Sequence, residues 1–163
     1  MCIRDRYKGK DRNTFYSSSY EEIIDKMNIG YLPDPILTNY VQGYVFKNAD
    51  PGTVPIYRLY KSSTKNSYYT TSWDEVQDMQ KKGYNYDNFK TSYIQGYIYK
   101  NEMPGTVPLY RLYKGSVRNT FYTTSSAEVK YMQNMGYALD PEKIGYIIGY
   151  MLPYNCLLYT SPS

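Results

Sequence analysis

Histidine is absent from the 163 residues, and cysteine occurs only at Cys2 and Cys156, close to the two ends. The first absence removes the side chain that most often moves protons near neutral pH. The second leaves the long interior without a thiolate nucleophile or a disulfide. Tryptophan occurs once, at Trp73, and no apolar run approaches the roughly 20 residues that cross a bilayer as a helix. Net charge is only +4, with both signs interspersed, so the basic footprint of a nucleic-acid binder is missing. What the chain has in excess is tyrosine, 24 residues of it. A tyrosine ring fills core volume, but its hydroxyl needs a partner, which points to a thin β-rich layer with many core-edge positions.

The stretch PGTVPIYRLYKSSTKNSYYTTS, residues 51–72, returns without gaps as PGTVPLYRLYKGSVRNTFYTTS, residues 104–125. A partial third copy, YKGKDRNTFYSSS, occupies residues 7–19. The period is 53 residues and divides one domain, 7–155, into units 7–55, 56–108 and 109–155. MCIRDR and CLLYTSPS fall outside the repeat and resemble translated sequencing-adapter read-through. Residues 1–6 and 156–163 are therefore expected to lack register with the fold.

Each unit parses alike. IYRLY and SYYTT are short, aromatic and bounded by turn residues, so they predict a hairpin. Ser72, Glu75 and Gly83 then form a capping box closed by a C′ glycine, repeated by Ser19, Glu22 and Gly30 and by Ser125, Glu128 and Gly136. Helices are expected near 20–29, 73–82 and 126–135. A last strand, YIQGYIYK, is matched by YVQGYVFK and YIIGYMLP, and Pro51-Gly52 and Pro104-Gly105 suit type II turns into the next unit. The expectation is an α+β fold of three β-β-α-β repeats in a closed, pseudo-threefold arrangement, with a β-trefoil-like fold as the alternative.

The pattern PLYRLYKGSVRNTFYTTSSAEVKYMQNMGY, followed by IGY, resembles the repeat of the DUF5648 family. That family is of unknown function, and the resemblance covers nearly all of residues 7–152. It implies a secreted, extracellular microbial protein that carries this domain beside a catalytic one. Family members often have Gly-Asp-His where this chain has Arg12-Asn13-Thr14, Lys65-Asn66-Ser67 and Arg118-Asn119-Thr120. A role that needed the histidine does not transfer.

Catalysis finds little support. Glu22, Glu75 and Glu128 are accounted for by capping, and Asp34, Asp87 and Asp140 by local turns, so no pair of carboxylates is left to face across a cleft. No cofactor and no metal site is expected. Phe15, Tyr68 and Phe121 are equivalent, so only the ring is needed there, whereas Tyr16, Tyr69 and Tyr122 keep the hydroxyl in every unit. The candidate ligand residues recur at the hairpin tips: Arg12 and Asn13; Lys61, Lys65 and Asn66; Lys114, Arg118 and Asn119. Cations and an amide beside aromatic rings suit sugar hydroxyls or an acidic polymer, and loops on a rigid scaffold are where such contacts collect. The reading is a non-catalytic binding module for a polysaccharide, glycan or cell-surface polymer, not for nucleic acid. The alternative is a structural or protein-interaction repeat.

Overall fold

A computed structural model describes residues 2–8, 13–33, 41–87, 93–140 and 145–153, with only the backbone described at Cys2, residues 4–8, Asn13 and Pro33. The first unit contributes β1 (Cys2–Lys8), β2 (Asn13–Ser17), α1 (Tyr20–Asn28), β3 (Leu32–Pro33) and β4 (Val41–Tyr44). The second contributes β5 (Thr53–Lys61), β6 (Asn66–Thr70), α2 (Trp73–Lys81), β7 (Asn85–Tyr86) and β8 (Ile94–Tyr99). The third contributes β9 (Val107–Lys114), β10 (Asn119–Thr123), α3 (Ser126–Asn134), β11 (Ala138–Leu139) and β12 (Ile147–Met151).

The helices start where the caps put them. Ser19, Ser72 and Ser125 accept from the backbone N–H groups of Glu22, Glu75 and Glu128, satisfying donors that the first turn leaves open. Gly30, Gly83 and Gly136 follow the last turn with φ of 100°, 94° and 93°, the left-handed conformation a C′ position requires. Thr53 and Thr106 close the Pro-Gly turns by donating to the carbonyls of Asp50 and Met103.

The closed threefold arrangement of β-β-α-β units is not what the strands form, and neither is a trefoil. A two-residue strand follows each helix, so the unit is β-β-α-β-β. All pairing is antiparallel. Eight strands build one open sheet in the order β10-β9-β12-β8-β5-β6, with β11 beside β9 and β7 beside β5. Four more, β2-β1-β3 with β4 on β1, make a smaller sheet tied to the larger one by single bridges at Tyr44–Leu152 and Phe46–Tyr97. The physical reason lies at β2, β6 and β10. Where a ladder between them would continue, a tyrosine hydroxyl from another unit occupies the backbone groups. Tyr69 N–H donates to the Tyr122 hydroxyl at 2.8 Å, and that hydroxyl donates to the Tyr69 carbonyl at 2.8 Å. Tyr16 is held in the same way by Tyr69, and Tyr122 by Tyr16.

Residues 2–6 also depart from expectation, while residue 1 lies outside the described residues. Arg4 to Lys8 pair residue by residue with Ser17 to Asn13, and Ile3 is buried in the central core. The segment takes the register of Pro55–Lys61 and Pro108–Lys114 in the other units. Residues 156–163 lie outside the described residues.

One central core gathers Ile3, Ile56 and Leu109 with Val45, Ile98 and Met151, around Tyr16, Tyr69 and Tyr122. Each unit supplies one residue of each kind, which is why no unit of this length buries its own face. Smaller clusters lie under the helices: Phe15, Ile23 and Tyr31; Leu59, Tyr68 and Val76; Leu112, Phe121, Val129 and Met132. The recurrent Gly-Tyr pairs have a steric cause. A Cβ on Gly96 would stand 2.7 Å from Val45 Cγ2, and one on Gly149 2.5 Å from Ile98 Cδ1. Neighbouring units approach too closely there for any side chain.

Candidate functional site

Two features compete for a functional role, and both lie between units. The first is buried. Arg58 and Arg111, each 0% exposed, leave β5 and β9 and reach into the preceding unit. Arg111 donates to both carboxylate oxygens of Glu75, at 2.9 and 2.8 Å, and its Nε stands 3.2 Å from Asp140. Arg58 treats Glu22 in the same way, at 2.9 and 2.6 Å, with Asp87 at 3.1 Å from its Nε. The guanidinium planes also lie over rings of the preceding unit, Arg58 over Phe15 and Arg111 over Tyr68. Burial alone would lower both arginine pKa values. The carboxylate hydrogen bond, with the surrounding charges, outweighs it and raises them.

These contacts correct the sequence reading of the carboxylates. Glu75 does not reach back to the N–H of Ser72. That N–H donates to Thr70 Oγ1, and the Thr70 hydroxyl donates to Glu75. Asp87 and Asp140 stand beside the arginines, and Asp34 lies outside the described residues. At these two unit boundaries the arrangement is an ion-paired clamp, Arg58 on Glu22 and Arg111 on Glu75.

The second feature is open. A cavity of about 260 Å³ lies between the hairpins of the second and third units, lined among others by Lys61, Asn66, Lys82, Tyr84, Tyr113 and Arg118. Lys61 and Asn66 face each other at the mouth of β5 and β6 because the ladder pairs them directly. Asn66 Nδ2 donates to the Arg118 carbonyl at 2.8 Å, locking one tip to the next. Arg118 itself has φ of 52° and Lys65 has φ of 57°, left-handed values that cost a non-glycine residue about 1–2 kcal/mol. Strain of this kind is tolerated where it aims a side chain. Three cations border the cavity, while its one acidic residue, Asp140, is engaged by Arg111. The Tyr84 phenol is held up by burial, against the pull of its hydrogen bond with Asn66, so it stays a neutral donor.

The predicted tip residues therefore separate. Lys61, Asn66 and Arg118 come together on the cavity. Lys65 is exposed at the tip. Lys114 Nζ donates to the Met135 carbonyl at 2.6 Å, capping α3, and lies 5.8 Å from the Tyr137 ring, as Lys61 lies 5.8 Å from the Tyr84 ring. Asn119 is 5% exposed and donates to the Tyr137 hydroxyl at 2.8 Å. Arg12 lies outside the described residues, and Asn13 is placed by its backbone alone, opposite Lys8. Lys82, Tyr84 and Tyr113 were not foreseen. The tyrosines belong to positions that recur in every unit, and Lys82 carries no signal beyond its place in KKGY.

A β-rich chain of three tyrosine-dense units, the second and third sharing one sheet through β8 and β12 and all three tied by ion pairs and tyrosine hydroxyls, defines a repeat domain. The chain belongs to the domain of unknown function family DUF5648, whose profile matches residues 3–148. No curated protein and no solved structure matches it.

Proposed function

We propose that this chain is a non-catalytic binding module for an acidic glycan or cell-surface polymer, carried by a secreted, extracellular protein. The cation-bordered cavity between the second and third hairpins supports this reading. Lys61, Lys82 and Arg118 supply charge for uronate, sulfate or phosphate groups, and Asn66 and Tyr113 stand beside them for hydroxyls. Among the described residues no group of three metal-ligating side chains occurs, and Glu22 and Glu75 are each engaged by a buried arginine. No helix among them is long and apolar enough to cross a membrane.

The test is calorimetry of polygalacturonate and of a sulfated glycan at low salt, with wild type beside Lys61→Ala/Arg118→Ala. Wild type should bind one of them, the double variant at least tenfold more weakly. Raising salt should weaken binding, since exposed charges are screened over about 8 Å at physiological ionic strength. Absence of binding to any acidic polymer would overturn the reading. A structural or protein-interaction repeat would then stand in its place, and one observation already favours it: Asn66, Asn119 and Lys114 all spend hydrogen bonds on neighbouring protein groups.

A further inference from the structure

Midway along β5, four residues before Lys61, Tyr57 begins a strip of aromatic rings. Tyr57 and Tyr93 are near-parallel, 13° between planes and 6.3 Å between centroids. Tyr86 continues from Tyr93 at 4.2 Å, and Trp73 flanks Tyr57 at 5.7 Å. We propose that Trp73, Tyr57, Tyr93 and Tyr86 form a second binding surface that stacks against the apolar face of pyranose rings in a neutral polysaccharide.

Four observations carry this. Trp73 is 50% exposed at the first position of α2, where the third unit has Ser126, so the helix does not need an indole there. The stacked pair recurs as Tyr110 and Tyr146, with planes 7° apart and centroids at 6.4 Å, and Tyr146 is 43% exposed. The strip is pre-ordered: the Tyr93 carbonyl accepts from Arg58 N–H at 2.7 Å, and Tyr57 and Tyr86 pack against the cluster of Leu59, Tyr68 and Val76. Lastly, none of the four side chains is charged, so the strip suits a neutral ligand where the cavity suits an acidic one. Burial, and then the nearby phenols of Tyr93, Tyr86 and Tyr97, push the Tyr57 phenol up and keep it a protonated donor for sugar hydroxyls. A polyproline peptide is the other ligand of aromatic strips, but it docks in aromatic-lined grooves, whereas Tyr57 and Tyr93 form a near-parallel step with Trp73 and Tyr86 tilted against it by 59° and 32°.

Trp73 is the sole tryptophan, so its fluorescence reports on this strip and not on the cavity. Titration with neutral β-1,4-linked glucose, mannose and xylose hexamers should give a saturable change for at least one of them. Tyr93→Ala, which keeps the reporter, should weaken that affinity at least tenfold, while Lys61→Ala/Arg118→Ala should leave it unchanged. Loss of acidic-polymer binding with this response intact would count against the cavity only. If Tyr93→Ala fails to fold by circular dichroism, Trp73→Gln measured by calorimetry takes its place with the same expected loss. The proposal is overturned if no hexamer saturates the signal, if the variant binds as wild type does, or if a proline-rich peptide saturates it and the hexamers do not.

Discussion

Arg111 and Glu75 form a two-pronged ion pair across the boundary between the second and third units, with both side chains almost wholly out of solvent. Removing one partner of such a pair leaves the other charge buried. Glu75→Gln should therefore destabilise by about 3–5 kcal/mol. Ser72→Ala, which removes only an N-cap acceptor, should cost about 1 kcal/mol. Reading Glu75 as half of a capping box predicts the reverse order, because glutamine can complete a box. Urea denaturation of the two variants decides between them.

That reversal shows where the sequence was legible. Helix starts were, because Ser-x-x-Glu followed by glycine is a local signal, and α2 ends at Lys81, one residue short of the expected 82, because Lys82 is the C-cap. The hairpins were too, since aromatic and β-branched runs flank turn residues. The ion pairs were not, because Arg58 and Glu22 are 36 positions apart and no local rule connects them. A clue existed: arginine recurs within IYRLY and PLYRLY, on the inward side of an otherwise apolar strand. The open sheet was hidden for the same reason. Whether three units close by a ladder depends on what meets the strand edges, and that is Tyr16, Tyr69 and Tyr122 acting at distances of 53 and 106 residues. At the site, the tips are visible as loops, but the bonds of Lys114 to the Met135 carbonyl and of buried Asn119 to the Tyr137 hydroxyl are not placed by periodicity.

Tyr122→Phe should separate a hydroxyl that holds units together from one that does not. Its oxygen both receives Tyr69 N–H and donates to the Tyr69 carbonyl, so the change strands two buried backbone groups at about 1–3 kcal/mol each. Tyr68→Phe should cost under about 0.5 kcal/mol, the range of a neutral substitution, because Phe15 and Phe121 already occupy that place. Equal losses in thermal melts would remove the distinction.

High pH should unfold the protein through the same tyrosines. Burial raises the pKa of Tyr69 and of Tyr122 above the ordinary value of 10.0. A raised folded value means the stabilisation is complete below about pH 10 and is lost as pH climbs, because the unfolded chain then releases protons that the folded one retains. Tyrosinate absorbance should show exposed phenols titrating first and a cooperative step coinciding with loss of circular dichroism. A smooth titration of all 24 tyrosines with the fold intact would contradict this.

The sequence groups Asn119 and Lys65 as ligand residues, yet the structure gives them opposite circumstances. Asn119 is buried, bonds the Tyr137 hydroxyl and reaches Thr14 of the first unit at 3.5 Å. Asn119→Ala should then lower stability by about 1–2 kcal/mol through the partners it leaves behind. It should leave affinity for an acidic polymer unchanged, because Asn119 does not line the cavity. Lys65→Ala, at an exposed tip, should move stability by less than about 0.5 kcal/mol. Asn66→Ala should do both things at once, loosening the tip through the lost bond to the Arg118 carbonyl and weakening binding by removing an amide from the cavity wall. Measuring melting and polymer affinity on the same three variants separates the roles. A binding loss in Asn119→Ala with an unaltered melt would return that residue to the ligand surface and show that the hairpin contact opens in solution.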